Sequence, residues 1–243
     1  MRKWKVLLLA LLLGIQTLAN AGLSEGIAAF NAKDYATALR EYLPLANQGN
    51  APAQFNLGVM YDNGRGVPKD EAQAVAWYRK AAEQGNAKAQ FNLGVTYANG
   101  RGVPKDEAQA VAWYRKAAEQ GFAMAQSNLG VMYGNGLGVP KDEAQAVAWY
   151  RKAAEQGTAM AQTNLGFMYG NGRGVPKDVV LAYMLYNIAA ANGGEKAINN
   201  RASLEGTLSP SQITEAQALA SAWKLGTPFP TTSRTGKLAK PSR

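Results

Sequence analysis

An internal repeat with a period of 36 residues constrains the fold of this chain more than any other feature of its sequence. The block of 22 residues from Gly64 to Gly85 recurs unchanged from Gly100 to Gly121. It recurs again from Gly136 to Gly157, where Leu137 stands in place of arginine. Periods of this size are typical of stacked supersecondary units. A surface built from copies favours a binding scaffold, because an enzyme usually needs one asymmetric constellation of residues.

Each repeat carries two runs of apolar residues at helical spacing, separated by a loop rich in Gly and Pro. In the first repeat, Gly64 is expected to end the first helix, because glycine tolerates the left-handed conformation found at helix ends. Asp70 then begins the second helix and forms a capping-box arrangement with Gln73. One such helix pair cannot bury its own apolar face, so neighbouring units must pack on it. We expect a buried aromatic stripe in the second helices, made of Trp77, Tyr78, Trp113, Tyr114, Trp149 and Tyr150.

The repeated pattern is A-Q-x-N-L-G-x-x-Y-x-x-G-x-G-V-P-K-D-x-x-x-A-x-x-W-Y-x-x-A-A-x-x-G. It strongly resembles the Sel-one-like repeat family, which is related to the tetratricopeptide repeats, over residues 51–194. The resemblance implies an all-α fold, an α-solenoid of antiparallel helix-turn-helix repeats wound into a right-handed superhelix. It also implies that the chain mediates protein–protein contacts. Many bacterial members of this family are exported.

The sequence predicts a division of the chain into a leader, a repeat array and two terminal regions. Residues near the ends depart from the repeat pattern, and the last segment is rich in Pro, Thr, Ser and Lys, a composition typical of disorder. The predicted segments are a signal peptide (1–21), an N-terminal tetratricopeptide-like hairpin (22–50), four Sel-one-like repeats (51–86, 87–122, 123–158 and 159–194), C-terminal capping helices (195–225) and a disordered basic tail (226–243).

The first 21 residues have the three parts of an export signal. Arg2, Lys3 and Lys5 form the positive region, and an apolar core over 6–15 precedes the small residues around Ala21. An apolar core of this length is too short to span a membrane. We therefore expect cleavage after Ala21, no membrane span, and a periplasmic or secreted protein.

Composition excludes several classes of chemistry. The chain has no Cys and no His, which excludes Cys/His zinc sites, Cys-His and Ser-His-Asp catalysis, and haem ligation by His. Of the net charge of +9, most lies in the signal and the basic tail, so the nearly neutral repeat body does not predict a nucleic-acid surface. We expect no cofactor, no metal and no enzymatic activity.

Alignment with tetratricopeptide positions places one set of first-helix residues on the concave face of the array. Phenylalanines on this face would supply pockets, and a regularly spaced Asn could hydrogen-bond the backbone of an extended peptide. Alternatively, these asparagines bond an adjacent helix end and only hold the stack. Met124 and Met160 stand at the concave position of Lys88. The predicted partner-binding residues are Phe55, Asn56, Val59, Lys88, Phe91, Asn92, Val95, Asn128, Val131, Asn164 and Phe167.

Two other motifs have structural interpretations. The Gly-rich loops follow a helix and recur in every unit, unlike a phosphate-binding loop, which follows a strand. The Asp-Glu pairs open helices, where capping explains them better than acid–base catalysis. The predicted function is thus a monomeric, exported, non-catalytic scaffold for a protein or peptide partner. The alternatives are a cell-envelope hydrolase, a peptidoglycan- or glycan-binding module, or a luminal adaptor of a secretory pathway.

Overall fold

The computed structural model describes residues 21–235, and within them it contains helices and no strands. Residues 1–20, which carry nearly all of the predicted signal peptide, and residues 236–243 lie outside the described part. The helices are α1 (21–31), α2 (Tyr35–Asn47), α3 (Ala51–Asn63), α4 (Glu71–Glu83), α5 (Ala87–Asn99), α6 (Glu107–Glu119), α7 (Ala123–Asn135), α8 (Glu143–Glu155), α9 (Ala159–Asn171), α10 (Val179–Ala191), α11 (Glu195–Glu205) and α12 (Pro210–Ala222).

The chain divides after Asp106 into two compact units. In the first unit, α2 packs on α3, α3 on α4, and α4 on α5. In the second unit, each helix from α6 to α10 packs on the next, and both α11 and α12 pack on α10. Because the connecting loops are short, consecutive helices run antiparallel. Each unit is therefore a series of helix hairpins.

The helix ends follow from local sequence. Gly64 ends α3 in the left-handed conformation (φ 65°), and Gly100 ends α5 in the same way (φ 69°). Asp70 caps α4, where its carboxylate accepts from the Gln73 N–H at 2.9 Å. The predicted capping box is only half formed, because the Asp70 N–H donates to the Tyr61 carbonyl (3.0 Å). A complete capping box forms instead at the start of α12.

The core depends on close contact between a first-helix glycine and a second-helix tyrosine. A Cβ placed on Gly58 would lie 2.6 Å from the ring of Tyr78, so only glycine lets the two helices approach this closely. Gly130 meets the ring of Tyr150 in the same way. The aromatic stripe predicted from the sequence is buried, except that Trp149 is half-buried.

A buried glutamine in the first helices ties three helices together. The amide of Gln54 donates to the Ala46 carbonyl at the end of α2 (3.0 Å), and its oxygen accepts from Gln84 after α4 (2.8 Å). In the second unit, Gln162 donates to the end of α8 (3.1 Å) and accepts from Asn192 (3.1 Å). These amides satisfy helix-end carbonyls, which lack partners within their own helix. The glutamines therefore fix the spacing of successive helices.

The segment after α12 folds back onto the second unit. Phe229 is buried and stacks on Trp223 with ring centroids 4.5 Å apart. Ser233 donates to the buried carboxylate of Asp178, which also caps α10. The disordered tail predicted for residues 226–243 does not hold for residues 226–235, because an aromatic anchor and hydrogen bonds fix a segment whose composition resembles a linker. Residues 236–243 of that tail lie outside the described part.

Candidate functional site

In the first unit, the predicted concave-face residues lie together on α3 and α5, but they are not open pockets. Phe55 is half-buried, and its ring centroid lies 6.0 Å from that of the core residue Tyr78. Lys88 is exposed. The aromatic rings of this unit therefore belong partly to the core. The remaining predicted residues here are half-buried, namely Asn56, Val59, Phe91, Asn92 and Val95.

The asparagines have partners inside the helix stack. The Tyr78 hydroxyl donates to the Asp62 carboxylate (3.3 Å) and also interacts with the side chain of Asn92. The side chain of Asn128 interacts with the hydroxyl of Tyr114. Burial raises the pKa of both tyrosines, so each hydroxyl is a neutral group that needs a partner. This arrangement favours the structural interpretation of these two asparagines, with a tyrosine hydroxyl as the partner in place of a helix end.

The second unit contains a cavity of about 720 Å³ on the face formed by α7, α9 and the start of α11. It brings together three of the predicted residues, Val131, Asn164 and Phe167. Asn128 is not part of its lining. The volume is within the usual range of ligand pockets, about 300–1,000 Å³.

Changes in the repeat sequence account for the cavity in this unit. Ser127 and Thr163 occupy the repeat positions that hold Phe55 and Phe91 in the first unit. Thr163 lines the cavity, and its hydroxyl donates to the Ala159 carbonyl (2.8 Å), so it stays close to its own helix. The loss of an aromatic ring at this position leaves space between the first helices.

Large apolar side chains are exposed on the same face. Phe167 is 42% exposed, Met160 is 47% exposed and Met124 is 50% exposed. Phe167 and Met160 line the cavity. Methionine has a flexible, polarizable side chain that adapts to different apolar surfaces. The sequence predicts that the two methionines lie on the concave face. It does not predict that one of them, Met160, lines a cavity.

Charged groups border the cavity. The guanidinium of Arg173 donates to the Glu143 carboxylate at 2.6 and 2.8 Å and lies 5.6 Å from the ring centroid of Phe167. Hydrogen bonds from Arg173 and Lys141 lower the pKa of Glu143. Tyr150 also lines the cavity, and burial raises its pKa to about 12. The site thus combines an apolar floor with a fixed ion pair at its edge.

The second-helix carboxylates do not converge on this site as an acid–base pair. Asp142 caps α8, and Glu143 is held by Arg173 and Lys141. Across residues 21–235, no group of three or more His, Cys, Asp or Glu side chains could hold a metal ion. Within the same range, no helix is both long enough and apolar enough to span a membrane. What the geometry offers is a place for apolar side chains beside a hydrogen-bonding amide.

Comparison with known proteins agrees with the repeat pattern. The Sel1 repeat model matches residues 51–86, 87–122, 123–158 and 159–194, which together make up more than half of the chain. None of the curated proteins matches it.

Two solved structures are similar to this chain in both fold and sequence. The Sel1 repeat protein from Oxalobacter formigenes is 43% identical with a TM-score of 0.69, over 73% of each chain. The protein c5321, a protective antigen present in uropathogenic Escherichia coli strains that displays an SLR fold, is 36% identical with a TM-score of 0.75. That match covers 85% of this chain and 46% of the E. coli protein.

These matches confirm the predicted fold class, an all-α solenoid of tetratricopeptide-like helix hairpins. The Sel1 repeat fold is a general scaffold for protein–protein interaction, and its family is of a non-catalytic type. Four consecutive matches to the repeat, together with the relative that is 43% identical, place this chain in the Sel1 repeat family.

Proposed function

We propose that this chain is a non-catalytic scaffold that binds a protein or peptide partner through the face formed by the first helices of its repeats. The observation that carries this proposal is the cavity of about 720 Å³ in the second unit, with Met160 and Phe167 exposed at its edge. Exposed apolar patches beside a concavity are typical of interaction sites.

The lining suggests how a partner would be held. An apolar side chain of the partner enters the cavity between α7 and α9 and contacts Val131 and Phe167. The amide of Asn164 offers a donor and an acceptor for the partner's backbone. Arg173 is already paired with Glu143, so it shapes the edge of the site without leaving an unpaired charge. The mode is that of a peptide segment recognised by apolar anchors with a few polar contacts.

The proposed location is the periplasm or the exterior of the cell, and the proposed state is a monomer. The sequence of residues 1–21 supports export, since it has the order of a signal peptide. N-terminal sequencing of the protein from fractionated cells tests the location. A mature chain that begins at Gly22 in the exported fraction is expected, and an uncleaved chain in the cytoplasm would refute export.

Site-directed photo-crosslinking in the native host tests the binding face. A photoreactive phenylalanine replaces Phe167, so the aromatic character of the site is kept. A matched control carries the same group at Gln217, an exposed residue of α12 in the same unit. We expect one dominant protein adduct from position 167 and none from 217. Equal adducts, or no adduct at position 167, would contradict binding at the first-helix face.

A further inference from the structure

The second helix α8 binds an extended segment of the chain itself. The Arg151 guanidinium donates to the Phe229 carbonyl (3.0 Å), and the Glu155 carboxylate accepts from the Phe229 N–H (3.2 Å). The backbone carbonyl of Glu155 accepts from the Gly226 N–H (2.8 Å). The end of the exposed Leu225 side chain lies over Gly157, 2.8 Å from the place that a Cβ would take there. We call Arg151, Glu155 and Gly157 the backbone clamp of the third repeat, because three of these four contacts are hydrogen bonds to the main chain of the segment.

The bound segment, residues 223–229, organises its own aromatic contact. The ring planes of Trp223 and Phe229 are 13° apart, so the two rings stack face to face. The Trp223 indole N–H donates to the Thr227 carbonyl (2.9 Å) and closes the turn. Gly226 has φ 80°, a conformation that favours glycine at this place. The helix therefore supplies the clamp, and Phe229 is buried both by Trp223 and by the hydrophobic core of the second unit, to which it belongs.

The first two repeats carry the same clamp residues in an identical sequence, W-Y-R-K-A-A-E-Q-G. The fourth repeat does not, because Asn187 and Ala191 take the places of the arginine and the glutamate. The equivalent residues are Arg79, Glu83 and Gly85 in the first repeat, and Arg115, Glu119 and Gly121 in the second.

The guanidinium groups of these clamps are held in the same way as that of Arg151. Nη2 of Arg151 donates to the hydroxyl of Tyr169 and leaves Nη1 for the Phe229 carbonyl. Nη2 of Arg79 donates to a tyrosine hydroxyl at 2.6 Å, and Nη2 of Arg115 does so at 2.7 Å. The Nη1 donor that binds the segment in the third repeat thus has its equivalent in Arg79 and Arg115, whose Nη2 atoms are held in the same way.

The clamps of the first two repeats are also accessible. A side chain added at Gly85 or Gly121 would meet nothing within 4 Å, whereas at Gly157 it would meet Leu225 at 2.8 Å. Glu83 and Glu119 are exposed, and among the described residues their carboxylates have no hydrogen-bond or ion-pair partner. Two binding sites with the same residues are therefore open, each within its own unit.

We propose that the clamps of the first and second repeats bind an extended segment of a partner protein with the pattern Trp-x-Leu-Gly-x-Pro-Phe, which residues 223–229 display. The arginine and the glutamate of each clamp bind the carbonyl and the N–H of the phenylalanine, and the leucine covers the helix-end glycine. This site lies on the second helices, so it does not depend on the proposed role of the first-helix face.

Titration of the full chain with the capped heptapeptide Trp-Lys-Leu-Gly-Thr-Pro-Phe, followed by calorimetry, tests the proposal. We expect binding of up to two peptides per chain. The double variant Glu83→Lys/Glu119→Lys removes the acceptor and should weaken binding about tenfold or more, as expected for the loss of a charged hydrogen bond. Lysine near a helix C-terminus suits the helix dipole, so the variant helices should remain folded.

The control variant Glu25→Lys/Glu205→Lys makes the same change of charge at two exposed residues outside the clamps and should bind like the unaltered chain. A peptide in which the phenylalanine is replaced by alanine should bind about tenfold or more weakly, since it no longer carries the aromatic anchor. Absence of binding, or equal loss in both double variants, would overturn the proposal. The proposal would also be overturned if Glu155→Lys weakened binding of the peptide while Glu83→Lys/Glu119→Lys did not. That result would show that the peptide binds only where it displaces the chain's own segment.

Discussion

At the scale of single residues, the fold relies on places where a side chain is absent. Gly58 lies in the middle of α3, where alanine would ordinarily favour the helix by about 0.5–1 kcal/mol. The ring of Tyr78 occupies the position that a Cβ would need. Helix preference and packing therefore act in opposite directions at this residue, and the fold shows that packing decides.

The substitution Gly58→Ala is expected to lower the free energy of unfolding by about 1–2 kcal/mol, because overpacking costs about 1–3 kcal/mol and helix propensity returns part of it. Urea denaturation followed by circular dichroism measures the change. Gly206→Ala serves as the control, since nothing lies within 4 Å of a Cβ there. If both variants unfold at the same urea concentration, the close contact is not what selects glycine.

Buried tyrosines make the protein sensitive to alkali. The pKa of Tyr150 is raised from 10.0 to about 12 by burial, so the folded state favours the neutral hydroxyl. This contribution to stability is fully present below pH 10 and is lost as the pH rises through 12. Tyr150→Phe removes the ionisable group, so the variant should lose less stability than the unaltered chain between about pH 9 and about pH 11. Thermal unfolding at both pH values is the measurement, and an equal loss in the two proteins would contradict the assignment.

At the scale of helices, the buried glutamines connect each hairpin to the next. Gln162→Leu keeps the volume but leaves the Ala154 carbonyl and the Asn192 amide without their partner. We expect the free energy of unfolding to fall by about 1–3 kcal/mol, the usual cost of an unsatisfied buried polar group. Chemical denaturation checks this, with the exposed Gln217→Leu as a control. A variant as stable as the control would mean that the glutamine contributes only its volume.

Helix ends could be predicted from the sequence, and contacts between distant elements could not. Gly64 and Asp70 act within one turn of the helix, so their residue types alone indicate where helices stop and start. The glutamine contacts join residues 30 positions apart. Phe229 bonds Glu155, which lies 74 positions away in the sequence. Local composition predicted disorder for this segment instead. The glutamine recurs every 36 residues, but its recurrence does not show which groups it contacts, and the anchoring of Phe229 has no counterpart in the repeat pattern.

At the scale of the whole molecule, near-identical repeats have acquired different surfaces through a few substitutions. The second helices of the first three repeats keep one sequence, while the first helices vary. Three predicted concave-face residues, Val131, Asn164 and Phe167, meet at the cavity of the second unit. Phe55 and Phe91 differ from the open pockets predicted for them, because they are half-buried. Alignment with a related repeat finds the face, but it does not predict which rings pack inward.

The most direct test of the proposed function is the affinity of the partner captured at Phe167, measured by calorimetry with purified proteins. We expect Phe167→Ala and Met160→Ala each to weaken binding about tenfold or more, as is usual for apolar anchors at the centre of an interface. Ile27→Ala removes an equally exposed apolar side chain from α1 and should leave the affinity unchanged. Unchanged affinity in the Phe167→Ala and Met160→Ala variants would show that this face does not bind the partner.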